Sequence, residues 1–446
     1  MKKSFHLLLP AFALLLMTDR AAAQNPIILD QFTADPSARV FAGKVYVYPS
    51  HDIPRDPGSG KAWFRMRDYH VFSSENLTDW QDHGIIVSQE QVPWVDATTY
   101  SMWAPDCISK GGKYYFYFPA IAKDAAGRGM KIGVAVADKP AGPFVPEPNY
   151  IKDVAGIDPN PFIDRDGQAY LYWASRSRVS VARLKENMLE LATAPQVVEN
   201  LPAGFKEGPY LFERKGTYYL TFPFVAHKTE ELAYAMGPSP LGPFKYAGVI
   251  MDESPAGCWT NHQSIVEYQG HWYLFYHHND LSPEFDKNRS IRVDEMFFND
   301  DGTIRKVIPT LRGVGITAAR DKIQIDRYSA ISEHGSSIAF LDDQNRREGW
   351  KAVMHAADAW FRYNRVNFEG RNPESIVLRV AAKAGGVVEI RLNKTDGPLL
   401  ARVEIPQEGN WNLVKARLLE IPSGIQDLLL VSKGPKPVEV DWVSFE

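Results

Sequence analysis

The chain has 446 residues, 45% apolar and 12% aromatic, which is enough to bury large cores and to build two or three globular domains. Its 50 basic and 54 acidic residues are mixed along the sequence and leave a formal net charge of -4, so no basic stripe exists for a nucleic-acid partner.

The first element, MKKSFHLLLPAFALLLMTDRAAAQ, joins two lysines to an apolar run and then to Ala21, Ala22 and Ala23. These are the three parts of a secretory signal peptide, with cleavage expected after Ala23. The apolar run is too short for a bilayer span. Residues 1–23 are therefore expected to be removed during export to the periplasm or the extracellular space, leaving no stable membrane span. Cys107 and Cys258 are too few for a disulfide-stapled scaffold and read as buried thiols.

Five segments then repeat one pattern: GKVYVYPS from Gly43, GKYYFYFP from Gly112, GQAYLYWA from Gly167, GTYYLTFP from Gly216 and GHWYLFYH from Gly270. Each is a glycine turn feeding an aromatic strand. The glycines recur at intervals of 69, 55, 49 and 54 residues, room for one four-stranded blade per repeat. The reading is all-β, a five-bladed β-propeller. A polar residue stands ahead of each glycine: Asp35, Asp106, Asp158, Glu207 and His262 precede theirs by eight, six, nine, nine and eight residues. Because the inner strands of all blades line one channel, these side chains are expected to meet in a shared funnel. The four acids each have a proline within two residues, which suits a strand entry better than its middle.

These residues resemble glycoside hydrolase family 43, five-bladed propeller enzymes that cleave arabinofuranosides and xylosides. The resemblance runs from about Pro26 to about Ile325 through ADPSARVFAGKVYVYPSHD, WAPD, IDPNPFIDRDG, EGPYLFERKGTYYL, NHQSIVEYQGHWYLFYHH and RSIRVDEMFFNDDGTI. It implies Asp35 as general base, Glu207 as general acid and Asp158 as the aspartate that orients the acid and raises its pKa. Hydrolysis with inversion needs one protonated and one ionised carboxyl, roughly 6.5–9.5 Å apart with a water between. Asp158 is expected to supply the negative neighbour that keeps Glu207 protonated.

Further substrate contacts are expected from Trp103 as an apolar platform, from Arg289 as a hydrogen-bond donor to sugar hydroxyls that also counterbalances the acids, and from Asp106, His51, Asp52, Phe222 and His262 around the funnel. The resemblance places His262 near a structural calcium ion in some members, while the chemistry requires no cofactor. HHND at His277 to Asp280 reads as a solvated loop. No Walker loop, HExxH or GxSxG motif competes.

From about Arg327 the strands shorten to SIVLRVAA, GVVEIRL, LARVEIP, WNLVKARL, DLLLVSK and VEVDWVSF, the pattern of a β-sandwich (jelly-roll). WFRYNRVNFEG and the DWVSF terminus resemble carbohydrate-binding module family 6. The resemblance offers Tyr363 and Trp411 as rings for sugar faces. The expected domains are a propeller over 24–325 and a binding-module-like sandwich over 326–446.

The functional expectation is an exported, inverting glycosidase for plant-type oligo- or polysaccharides containing arabinose or xylose. An exo-acting α-L-arabinofuranosidase is favoured, with a β-xylosidase or galactofuranosidase of the same fold as alternatives. The rival from another class is a non-catalytic glycan-binding propeller, which loss of the acid or base would favour.

Overall fold

A computed structural model describes residues 24–54, 63–123, 129–255, 257–342, 344, 350–370 and 372–446. The expected signal peptide lies outside the described residues. Among these the protein is all strand and turn, and no helix is long and apolar enough to cross a membrane.

The five repeats become five sheets. Blade 1 pairs Phe32–Phe41, Lys44–Asp52, Met66–Ser74 and Gln81–Ser88 in that order. Blade 2 runs Asp106–Lys110, Lys113–Ile121, Met130–Ala137 and Val145–Pro146; blade 3 runs Ile157–Ile163, Ala169–Ser175, Arg178–Arg183 and Gln196–Val197. Blade 4 holds Tyr210–Arg214, Thr217–Phe224, Glu231–Gly237 and Lys245–Met251, and blade 5 holds Ser264–Tyr268, His271–His278 and Ser290–Met296. The repeated glycines turn the first strand of each blade into the second, with left-handed φ of 79°, 78°, 86°, 84° and 80° at Gly43, Gly112, Gly167, Gly216 and Gly270. Such a backbone costs glycine nothing and strains other residues, which is why the turn residue repeats.

The aromatic strands are buried on both faces, so they read as nearly continuous apolar runs. In blade 1, Val45 and Val47 pack toward Val266 and Phe275 of blade 5, whereas Tyr46 and Tyr48 pack toward Phe116 and Phe118 of blade 2. Equivalent clusters fill the junctions between blades 2 and 3, 3 and 4, and 4 and 5, so the core is a ring of inter-blade layers. The amino-terminal stretch closes that ring. Ile27 N donates to Ile291 O at 3.0 Å, Thr33 N donates to Arg289 O at 3.0 Å, and the Asn25 side chain bonds Val293 in both directions. The outer edge of the three-stranded fifth blade is thus covered by residues that lead directly into blade 1.

The carboxy-terminal part is a sandwich of two sheets. One is ordered Thr317–Ala318, Trp360–Asn367, Ile425–Ser432, Gly386–Leu392 and Leu399–Ile405; the other is ordered Ser336–Phe340, Trp350–Met354, Val438–Phe445, Ser375–Ala382 and Glu408–Arg417. Their facing residues, including Phe361, Ile376, Leu378, Ile390 and Leu430, form one core. Thr317–Ala318 and Ile323–Gln324 already pair into these sheets, so the sandwich begins upstream of the expected boundary at 326. The connector reads as a closing strand because its short apolar pairs alternate, and only the partner strands reveal which domain they join.

Candidate active site

The acids are placed by their prolines. Asp35, Asp158 and Gly208 each precede proline and adopt left-handed φ of 46°, 57° and 60°. Proline offers no ladder donor, and in blade 1 the strand register shifts between Ala34 and Ser37, which turns Asp35 out of the ladder. Left-handed backbone at a residue with a side chain is uncommon, aspartate tolerates it better than most, and such strain gathers at functional sites. Blade 4 differs in one respect. Its residue before proline is glycine, where a Cβ would stand 2.7 Å from Pro223 Cδ, and the carboxyl sits one residue earlier on Glu207.

Asp35 is 6% exposed and surrounded by donors. Arg289 Nη1 donates to its Oδ1 at 2.7 Å and Ser50 Oγ to its Oδ2 at 2.7 Å, while its backbone N–H donates to His277 Nδ1 at 3.1 Å. Burial opposes its charge, but the Arg289 guanidinium, with His277, His262 and Ser50, outweighs burial and holds the carboxyl at about 2. Arg289 is fixed in turn by Asp52, whose oxygens accept from Nε and Nη2 at 2.9 Å each and from the Arg289 backbone N–H at 2.8 Å. Arg289 therefore grips two buried carboxylates, and its guanidinium lies 4.7 Å from the centre of the Phe64 ring.

Glu207 stands in contrasting surroundings, where no described residue donates a hydrogen bond to its carboxyl. Burial and then the charge of Asp35 push it up to about 7, against the pull of Arg289 and Lys206. Asp158 is also raised well above the ordinary carboxylate range, by burial and by Glu207. Asp35 is thus one negative neighbour that raises Glu207, and Asp158 and Glu207 disfavour each other's charge. Asp158 also acts on position: its Oδ2 accepts the Gly208 N–H at 2.8 Å, fixing the peptide that follows Glu207. Glu230 completes the acidic group and escaped sequence reasoning because it stands just ahead of an ordinary-looking strand, Glu231–Gly237. Its side chain is fully buried, Oε2 accepts the Asn261 N–H at 2.9 Å, and burial followed by Glu207 raises it strongly.

Asp106 lies outside this group. It follows its proline, so it aligns with Ser37 and Asn160, and it binds both of them. Arg39 Nε donates to it at 2.9 Å and the Cys107 N–H at 2.7 Å. Asp106 therefore staples blades 1, 2 and 3 together and has no lone pair turned to a sugar, which corrects its expected role as a substrate contact. Phe222 is likewise corrected: it is fully buried and packs edge-on against Phe205 at 5.4 Å between blades 3 and 4. His51 is engaged by Asp68 at 2.6 Å rather than by the acids. Trp103 is half-buried, 6.4 Å from the Phe64 ring that Arg289 faces, so these two rings form an aromatic wall beside the Asp35 clamp. Phe64 gave no repeat signal.

His262 stands beside the base, with Nδ1 3.8 Å from Asp35 Oδ1. Calcium takes six to eight oxygen ligands. His262 offers nitrogen, and the oxygens of Asp35 and Asp106 are already committed to Arg289, Ser50, Arg39 and Asn160, so these residues do not compose a protein-ligated calcium site. The HHND segment is no solvated loop: His277 and His278 are buried and Arg292 clamps Asp280 at 2.8 Å. His277 supports Asp35, with its imidazole held neutral by burial and by Arg289 and its pKa down at about 3. Both cysteines are buried free thiols, as expected. In the sandwich, Tyr363 is fully buried with its hydroxyl on Ile325 O, so it presents no face to a sugar. Trp411 is half-exposed with Arg379 4.9 Å from its ring centre.

Residues 23–304 match the model of glycosyl hydrolases family 43, and residues 332–446 match that of carbohydrate binding module family 6. A xylosidase/arabinosidase of Humicola insolens is 39% identical over 329 residues, covering 63% of this chain and 98% of that one. An arabinoxylan arabinofuranohydrolase of Bacillus subtilis is 25% identical and covers 86% of this chain and 84% of its own. Among solved structures, a β-xylosidase/α-arabinofuranosidase from a compost microbial metagenome, in complex with xylotriose and in calcium-free form, superimposes with a TM-score of 0.57 at 37% identity, over 65% of this chain and 98% of that chain.

Proposed function

The chain belongs to glycosyl hydrolase family 43, an inverting family whose chemistry needs no cofactor, and from that premise we propose that it releases terminal pentosyl groups using Glu207 as acid and Asp35 as base. The observation that carries this reading is the divergence of two carboxyls in one pocket, with Glu207 raised to about 7 and Asp35 held at about 2. Near neutral pH, Glu207 retains a proton for the leaving glycosidic oxygen while Asp35 is ionised and takes a proton from the attacking water. The bond from the anomeric carbon to the leaving oxygen breaks as the bond to water oxygen forms on the opposite face, giving inversion. Solvent then returns the proton from Asp35 to Glu207. Arg289 keeps Asp35 charged and oriented, and Asp158 holds the Gly208 peptide so that Glu207 faces the same bond.

The preferred substrate is a non-reducing α-L-arabinofuranosyl end of a plant-type polysaccharide, cleaved in exo fashion. A β-D-xylosyl end is the second reading, supported by relatives named xylosidase/arabinosidase and β-xylosidase. Export to the periplasm or beyond, by way of residues 1–23, belongs to the same proposal, since polymeric substrate is met outside the cell. The test is initial hydrolysis rates on aryl α-L-arabinofuranoside, β-D-xylopyranoside and β-D-galactofuranoside, with Glu207→Gln and Asp35→Asn alongside. Cleavage of a pentoside that both variants lose supports the reading. Rates equal in wild type and variants, or cleavage of the galactofuranoside alone, would overturn it.

A further inference from the structure

Blade 1 carries a cluster of metal-ligating side chains that the hydrolytic reading does not use. His51 is the penultimate residue of the second strand, and Asp68 and His70 stand two apart on the third, so the pleat brings both to one face of that strand. One ligand atom from each of the three residues lies within 4.8 Å of the others. The two imidazoles meet at 5.0 Å between centres and 72° between planes, and His51 Nδ1 is 2.6 Å from Asp68 Oδ1. Asp68 is nearly buried at 7% exposure, while both imidazoles keep partial access to solvent.

The supporting shell is also built. Both oxygens of Asp82 lie 3.0–3.1 Å from His70 Nδ1, and Asp82 is itself fixed by the Gly84 N–H at 2.7 Å and by Gln31 Nε2 at 3.1 Å. A carboxylate on one ring nitrogen orients the imidazole and leaves the other nitrogen as a lone-pair donor, the arrangement that accompanies histidine ligation of metals.

We propose that His51, Asp68 and His70 bind a first-row transition-metal dication, Zn²⁺ or one of similar ligand preference, with Asp82 as the carboxylate behind His70. Two imidazoles and one carboxylate suit such an ion and not calcium or magnesium, which prefer all-oxygen shells. Ligation brings the three donors together from the 4.8 Å span, exchanging the His51–Asp68 hydrogen bond for bonds to the ion and leaving the remaining position to water. The ion would tie the second and third strands of blade 1 together one residue from Asp52, which fixes Arg289. None of its three ligands belongs to the acid pair.

The test is isothermal titration of untagged, chelator-stripped full-length protein with ZnCl₂, paired with thermal unfolding with and without the ion. One tight equivalent and a raised Tm are expected in wild type. His70→Gln and Asp68→Asn should each lower the affinity at least 10-fold, and Asp82→Asn, which leaves all three ligands in place, about 10–100-fold. Unfolding curves without metal check that each variant folds. Absence of a stoichiometric site in wild type, or unchanged affinity in folded His70→Gln, would overturn the proposal, the latter because it would place the ion at another histidine.

Discussion

The surroundings of Asp35 and of Glu207 make an instructive pair. On the blade 1 and blade 5 side, a carboxyl is met by a guanidinium, a hydroxyl and two imidazoles, and the guanidinium is braced by a second carboxylate. On the blade 3 and blade 4 side, a carboxyl stands with two other carboxyls, Asp158 and Glu230, and receives no hydrogen bond from the described residues. Asp35 is buried and Glu207 half-buried, and loss of solvent pushes both groups toward the neutral form. Opposite partners then separate them, one held at about 2 and the other pushed up to about 7. One fold can thus keep a protonated and an ionised carboxyl side by side because the donors are concentrated at one end of the pocket.

The strongest way to break this contrast is to remove either carboxyl. Glu207→Gln and Asp35→Asn should each reduce kcat by about 10²–10⁴-fold. The two losses should differ in kind. With Glu207→Gln, the deficit should shrink as the leaving phenol becomes more acidic, since such a group needs little proton donation. With Asp35→Asn, it should stay constant across the series. Equal leaving-group dependence in both variants would show that the roles are not divided as described.

Next in size is the clamp. Arg289→Ala leaves Asp35 and Asp52 buried without their cation, at a cost of about 3–5 kcal/mol in urea unfolding, together with a drop in kcat. Unchanged stability would mean that the two carboxylates are compensated elsewhere.

The pH profile sharpens the contrast at its upper end. Glu207 has a folded pKa of about 7 against an unfolded value of 4.5, so its proton is present below about 7 and lost above it. The alkaline limb of kcat/KM should therefore fall near pH 7. The same shift makes its contribution to stability greatest below pH 4.5 and lost as pH rises through 7. Glu207→Gln should accordingly raise Tm more at pH 8 than at pH 5, and a gap that narrows with pH would reverse the sign of the shift.

Smaller effects separate packing from contact. Phe222→Leu should cost about 1–2 kcal/mol of stability and leave KM unchanged, because the ring fills a blade junction and faces no sugar. Trp411→Ala should change stability by less than about 0.5 kcal/mol and leave small-substrate rates alone while weakening retention on arabinoxylan. Retention equal to wild type would remove Trp411 from glycan recognition.

Much of this architecture was legible because it is written in local terms. A glycine that must take positive φ, followed by strands buried on both faces, marks each hairpin whatever surrounds it. Asp35, Asp158 and Glu207 could be picked out for the same reason, since a proline fixes the strand entry beside each. Asp106 shows where the local signal fails. It shares the acid-and-proline composition, but it stands after its proline instead of before it, and that displacement moves its carboxyl from the pocket into a staple between blades. Phe222 and Tyr363 failed differently: aromatic periodicity marks a strand without saying which neighbour covers its faces.

By itself, the sequence determined the strands, their glycine turns, the five-fold count and the residues able to do acid and base chemistry, because turn geometry and alternation depend on neighbours in the chain. Only the tertiary structure decided that Ser50 would join Arg289 in holding Asp35 ionised while Glu207 was left without a donor, and that His51 would turn to Asp68 and His70. Those contacts join residues from opposite ends of the propeller or from separate strands of one blade. A pKa depends on the charges and solvent within a few ångströms in space, whatever their separation along the chain.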